Sequence, residues 1–168
     1  MARWGRPALR ERFDDAEHPD PQGPPSTHRC DLYVATDAAM CGEIAGFGAL
    51  VERPDGSVIA RWERTGAATD NNDAELRALH FGLDRLAQLS VPATRVGILL
   101  DHDVLAQAVA ACATPGVESP TRPPSRTSST HHWGGITARV ASIPHVRIGI
   151  VSGHSNPAHG LANRVAAD

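Results

Sequence analysis

Three acidic residues stand where an acid can reach a reaction centre. Asp37 and Asp101 each follow a short apolar run, and Glu75 falls in the first turn of an expected helix. In α/β sheets the functional crevice lies beyond strand ends and near helix starts. Carboxylates converging there from separate segments can hold hard cations, because Mg²⁺ takes oxygen ligands and keeps several waters. Two such ions, about 3.5–4 Å apart, activate a water and stabilise the leaving oxygen of a phosphodiester. Each acid also has a purely structural use. Asp37 can cap a turn, Asp101 can cap the next helix, and Glu75 can complete a capping box opened by Asn72. Composition and periodicity leave both uses open.

The elements that must position these acids are legible as alternating runs. Leu32 to Thr36 reads as a first strand ending at Asp37, Gly46 to Val51 as a second and Ser57 to Glu63 as a third. The turn Arg53-Pro54-Asp55-Gly56 joins the last two as a hairpin, since Pro at i+1 and Gly at i+3 suit a type I turn. Leu76, Leu79, Leu83, Leu86 and Leu89 then recur at helical spacing, with Asn72 as the expected cap. Val96 to Leu100 is a buried strand ending at Asp101, and a helix over about residues 103–113 follows. Further on, residues 131–142 read as a helix, Val146 to Val151 as a last strand and Ala158 to Ala167 as a last helix. Hairpin strands followed by strand–helix alternation imply an α/β fold, a mixed sheet with helices packed against it.

The length of 168 residues suits one domain. Nine of the 13 prolines fall in residues 1–28 and 114–130, which lack apolar periodicity. The first segment is expected to be a disordered tail whose removal leaves the fold nearly unchanged, and residues 29–168 a single domain. The second, rich in Ser, Thr and Arg, is expected to be a flexible insert within that domain. No apolar run approaches a membrane span, the N-terminus lacks a secretory h-region, and Cys30, Cys41 and Cys112 form no CxxC pair. This usage fits a cytoplasmic chain, expected to act as a monomer without membrane contact. Net charge is −3, which argues against a general polyanion binder. Yet residues 29–113 carry 7 Arg against 12 acids, while residues 114–168 carry 5 Arg against 2, so the acidic part should hold any metal. The nine histidines show no zinc spacing, and His102 reads as a surface or crevice-rim residue.

Thr36-Asp37-Ala38, Gly46-Phe47-Gly48, Thr69-Asp70-Asn71-Asn72-Asp73-Ala74-Glu75-Leu76, Leu100-Asp101 and Val151-Ser152-Gly153-His154-Ser155 occur in that order. Together they resemble the type HI family of ribonuclease H, over about residues 31–168 apart from the insert. The T-x-N-N-x-x-E-L stretch is the most specific piece. The resemblance implies a ribonuclease H-like five-stranded mixed sheet, with strands 1–3 antiparallel, strands 4 and 5 parallel, and helices on both faces. It implies Mg²⁺- or Mn²⁺-dependent hydrolysis of the RNA strand of RNA–DNA hybrids, leaving a 5′-phosphate and a 3′-hydroxyl. It further implies that Asp37, Glu75 and Asp101 ligate metal, that His154 on a mobile loop assists proton movement or product departure, and that Asn71 and Asn72 touch the hybrid.

The last motif of the family, G-H-x-x-x-x-x-N-E-x-A-D, is altered here. The loop is one residue short, His159 and Gly160 take the usual Asn and Glu places, and Asn163 takes the place of the fourth metal-site Asp. A neutral amide is a weaker ligand for a hard cation, so either a handicapped nuclease or a hybrid-binding module without catalysis is expected. Asp168, five residues past Asn163, points about 140° away on a helix and is a poor substitute.

Overall fold

Residues 5–19 and 29–167 are described by the computed structural model. Their elements run α1 (Leu9–Asp15), β1 (Leu32–Cys41), β2 (Ile44–Glu52), β3 (Val58–Ala67), α2 (Asn71–Ala87), β4 (Arg95–Leu100), α3 (Asp103–Ala113), α4 (Thr130–Ser142), β5 (His145–Ile150) and α5 (His159–Ala167). The five strands form one sheet in the order β3-β2-β1-β4-β5. β1 to β3 pair antiparallel, whereas β1 with β4 and β4 with β5 pair parallel. The mixed sheet inferred from the alternation of runs is therefore present. β1 lies at its centre, so Leu32 to Asp37 is buried at every residue rather than alternately.

Two layers cover the sheet. On one face α2, α3 and α4 bring Leu76, Leu79, Leu83, Leu105, Trp133 and Ile136 against Leu32, Val34, Ile98 and Ile148. On the other face α1 and α5 bring Leu9, Phe13, Ala158 and Leu161 against Tyr33, Ala35, Leu50 and Leu99. The leucine stripe of α2 is the buried stripe, as its spacing required.

Several boundaries differ from the sequence expectation. β1 does not stop before Asp37 but continues to Cys41, because its Ala-Ala-Met-Cys end is held by pairing with β2 down to Cys41 and Ile44. β3 likewise continues to Ala67 by pairing with β2. The cap of α2 is Asp70, not Asn72: Asp70 has extended backbone and its side chain accepts from the Asp73 amide.

The N-terminal segment is the larger correction. The expected tail of residues 1–28 lies partly outside the described residues, but residues 5–19 are built into the fold. Leu9 and Phe13 are buried. The Phe13 ring seats above Gly97 of β4 and Gly149 of β5, where an added Cβ would stand only 3.2 Å from ring carbons. Buried Glu52 accepts from the Leu9 amide at 2.8 Å and pairs with Arg6, so it serves the N-terminal end of α1. Glu17 exchanges backbone hydrogen bonds with Ile150, and His18 bridges the carbonyls of Ile148 and Phe13.

The insert is also seated rather than loose. Residues 114–129 form no helix or strand, yet the Trp133 indole donates to the Pro120 carbonyl and the Thr69 hydroxyl to the Thr127 carbonyl. Asp73, fully buried, gathers the two sides. It accepts from the amides of Thr69 and Ser129 and from Arg77 Nε at 2.8 Å. Asp73→Ala is expected to cost about 2–4 kcal/mol, since three donors lose a charged acceptor at once. A urea midpoint unchanged from wild type would contradict this.

Candidate active site

β1 outlasts β4. Their parallel pairing ends at Ala35 with Leu99, so the chain leaves β4 at Asp101 while β1 passes on through Asp37. α2 starts nearby, and Glu75 lies one turn inside it. The result is a cluster in which Asp37, Glu75 and Asp101 each offer an oxygen, all within 4.8 Å of one another. Asp37 is 2% exposed. The Ala38 amide donates to Asp37 Oδ1 at 2.9 Å and lies 3.4 Å from Glu75 Oε1, so one N–H serves two of the acids.

Three like charges this close, and partly withdrawn from water, oppose one another. Burial, then Asp101 and Asp37, push the Glu75 carboxyl well above its ordinary range. Burial, then Asp37, push Asp101 up to about 6, against a smaller opposing pull from an Asn156 hydrogen bond. An all-oxygen, triply acidic set with unrelieved repulsion fits a hard divalent cation.

A carboxyl group whose folded pKa exceeds its unfolded value binds more protons when folded, so stability falls as pH rises. For Asp101 the loss runs from about pH 4 to about pH 6. With chelator present at about pH 7.5, Asp101→Asn is expected to be more stable than wild type by on the order of 2 kcal/mol, and the gap to close near pH 4. Thermal unfolding checks this; a variant less stable at both pH values would refute it.

The alternative structural roles resolve differently for each acid. Asp101 is not the cap of α3. That cap is His102, whose Nδ1 accepts from the Leu105 amide while its Nε2 donates to Asn72 Oδ1 at 2.7 Å. Glu75 completes no capping box with Asn72, since Asp70 is the cap. Asn71 and Asn72 are exposed in the first turn of α2. His154 is exposed in a 3₁₀ turn, Gly153–Ser155. A Cβ on Gly153 would stand 3.5 Å from Asp101 Oδ2, so this turn borders the cluster. Arg12 of α1 donates to the Ser155 carbonyl at 2.6 Å and ties the turn down.

From α5 the structure brings His159 against the cluster, its Nδ1 lying 2.7 Å from Asp37 Oδ2. Asn163, one turn further along, is exposed and donates its amide back to the His159 carbonyl at 3.0 Å. Asp168 lies outside the described residues. Sequence reasoning also missed Asn156. Buried, it donates to the Thr36 carbonyl at 2.8 Å and accepts from the Ala158 amide, pinning the start of α5 to β1. The Asn-Pro pair at 156–157 was its available signal, as a turn marker. α5 can sit this close because Gly48 of β2 lies beneath it, where a Cβ would fall 2.7 Å from the Ala158 carbonyl oxygen.

No family model and no curated protein matches the chain. Solved structures do. The N-terminal ribonuclease H domain of a Mycobacterium tuberculosis protein, solved as a fusion with maltose-binding protein, is 23% identical with a TM-score of 0.66, over 83% of this chain and 95% of that one. RNase H1 of Halobacterium salinarum is 21% identical with a TM-score of 0.64, over 82% and 97%. The LC11 RNase H1 in complex with an RNA/DNA hybrid is 19% identical with a TM-score of 0.63, over 79% and 94%. Together with the strand order and the helices on both faces of the sheet, these likenesses show that the chain has the ribonuclease H-like fold.

Proposed function

We propose that the protein is an endonuclease that hydrolyses the RNA strand of RNA–DNA hybrids, leaving 5′-phosphate and 3′-hydroxyl ends. The observation that carries this reading is the convergence of Asp37, Glu75 and Asp101 to within 4.8 Å of one another from three separate elements. It is supported by the likeness to a ribonuclease H1 solved with such a hybrid.

In this reading Asp37, Glu75 and Asp101 hold Mg²⁺ or Mn²⁺. Cations of this kind polarise a phosphoryl oxygen and make bound water a nucleophile near neutral pH. The protein's own part is positioning. The Ala38 amide fixes the Asp37 and Glu75 oxygens, and the 3₁₀ turn sets His154 at the rim, where it assists proton movement or product departure. Asn71 and Asn72 contact the hybrid backbone and 2′-hydroxyls, a mode of recognition that reads shape and sugar. Only seven aromatic residues occur in the chain, so a base-stacking platform is not required. The chain acts in the cytoplasm as a monomer. Among the described residues no helix is long and apolar enough to cross a membrane.

One observation favours a second reading, a hybrid-binding module without cleavage. α5 presents His159 and Asn163, neither of them a carboxylate, so one negative charge fewer faces the cations. Cleavage of matched RNA–DNA, RNA–RNA and DNA–DNA duplexes by wild type and Asn163→Asp, with Mg²⁺ and with Mn²⁺, separates the two. Hybrid-selective cutting supports the nuclease, and silence from both proteins with both ions removes it.

A further inference from the structure

The contact between α5 and Asp37 has more than one use. An Nδ1 to Oδ2 separation of 2.7 Å suits a hydrogen bond. It is also close to the roughly 3 Å between adjacent donors on an octahedral ion with bonds of about 2.1 Å. The ring is held against Asp37. His159 is the first residue of α5, its amide donates to the Asn156 carbonyl at 3.1 Å, and Asn156 is itself fastened to β1. α5 is pressed onto β2 at Gly46 and Gly48, where any Cβ would strike helix backbone, so the imidazole cannot retreat with its helix. The side chain is 50% exposed, so it keeps an open side toward incoming ions and substrate. Asn163 has turned its amide to its own helix.

Resting on the metal-dependent reading above, we infer that His159, rather than Asn163, is the side chain of α5 that joins the cation site, contributing an imidazole nitrogen on the Asp37 side of the three carboxylates. The consequence is selectivity. Carboxylates and water suit Mg²⁺, whereas imidazole suits later divalent ions, and a neutral nitrogen in place of a fourth negative oxygen weakens the hold on Mg²⁺ in particular. The site therefore prefers Mn²⁺ to Mg²⁺ by more than its three acids alone would cause.

The test needs no turnover. Mn²⁺ is added to the metal-free chain of 168 residues and followed by electron paramagnetic resonance, with electron spin-echo modulation to detect directly coupled nitrogen. Wild type is expected to show imidazole nitrogen coupling. His159→Ala is expected to lose that signal and at least about tenfold in Mn²⁺ affinity while changing little toward Mg²⁺ in competition. His159→Asp is expected to gain Mg²⁺ affinity. Tight Mn²⁺ binding by wild type without nitrogen coupling, or equal binding by His159→Ala, overturns the inference and leaves the three-acid site standing. Failure of wild type and His159→Asp alike to bind any divalent ion overturns both this inference and the nuclease reading.

Discussion

Asp37→Asn is expected to lower hybrid cleavage by at least roughly 10³-fold while leaving the protein folded and hybrid binding within about threefold of wild type. Asn has nearly the shape of Asp, so the Ala38 amide keeps its acceptor and the new amide can face His159 Nδ1 across the 2.7 Å contact. What disappears is charge. Asp37 is the most buried of the three acids and the one from which both Glu75 and Asp101 feel repulsion. Under the proposed function, losing it removes a ligand from a cation site whose contribution is several kcal/mol of charge stabilisation, which sets the size of the rate loss. Binding is spared because the affinity of such a protein rests on contacts to phosphate and sugar rather than on the reaction centre. The same substitution should make the metal-free chain more stable, since it relieves the two remaining acids. Single-turnover cleavage, fluorescence anisotropy with labelled hybrid and thermal unfolding in chelator read these three effects. Cleavage that survives within tenfold would mean the cluster is not the reaction centre.

The second large effect lies far from the acids. Leu9→Ala combined with Phe13→Ala is expected to destabilise the fold by about 5 kcal/mol or more, enough to leave much of the chain unfolded at 37 °C. Both side chains are essentially inaccessible, and Phe13 meets Tyr33 edge-on at 5.4 Å between ring centres. Its ring packs with Tyr33 over Gly97 and with Ala16 over Gly149, so truncation opens a cavity in a tightly filled layer on the sheet. Urea denaturation followed by circular dichroism measures the effect, and a midpoint matching wild type would restore the view of this segment as a dispensable tail.

These two cases also show where sequence reading succeeds. The α2 stripe was readable because five leucines at helical spacing admit one burial face. Asp101 was readable because an apolar run ends abruptly at it. Asp37 is legible for a partly mistaken reason, since β1 runs through it, and the differing reach of β1 and β4 is what sets it beside Asp101. α1 was not readable. Its seven residues bury just Leu9 and Phe13 among charged neighbours and prolines, so tertiary contact rather than periodicity makes the helix. Asn72 is the cap that the sequence spacing suggests, whereas the backbone geometry gives that place to Asp70. The shortened loop before α5 hides the contact of His159 with Asp37, because counting along the expected motif directs attention to Asn163, one helical turn further on.

The unequal reach of β1 and β4 also determines where the chain tolerates length changes. Side chains on a strand alternate between faces, so one residue inserted between Leu32 and Asp37 would swing the carboxylate from the α5 layer to the α2 layer. Residues added at Gly42 and Glu43, beyond the last β1–β2 pair, would leave that phase intact. The hairpin tip is thus free to vary in size over evolution, whereas the five residues before the acid are locked in number.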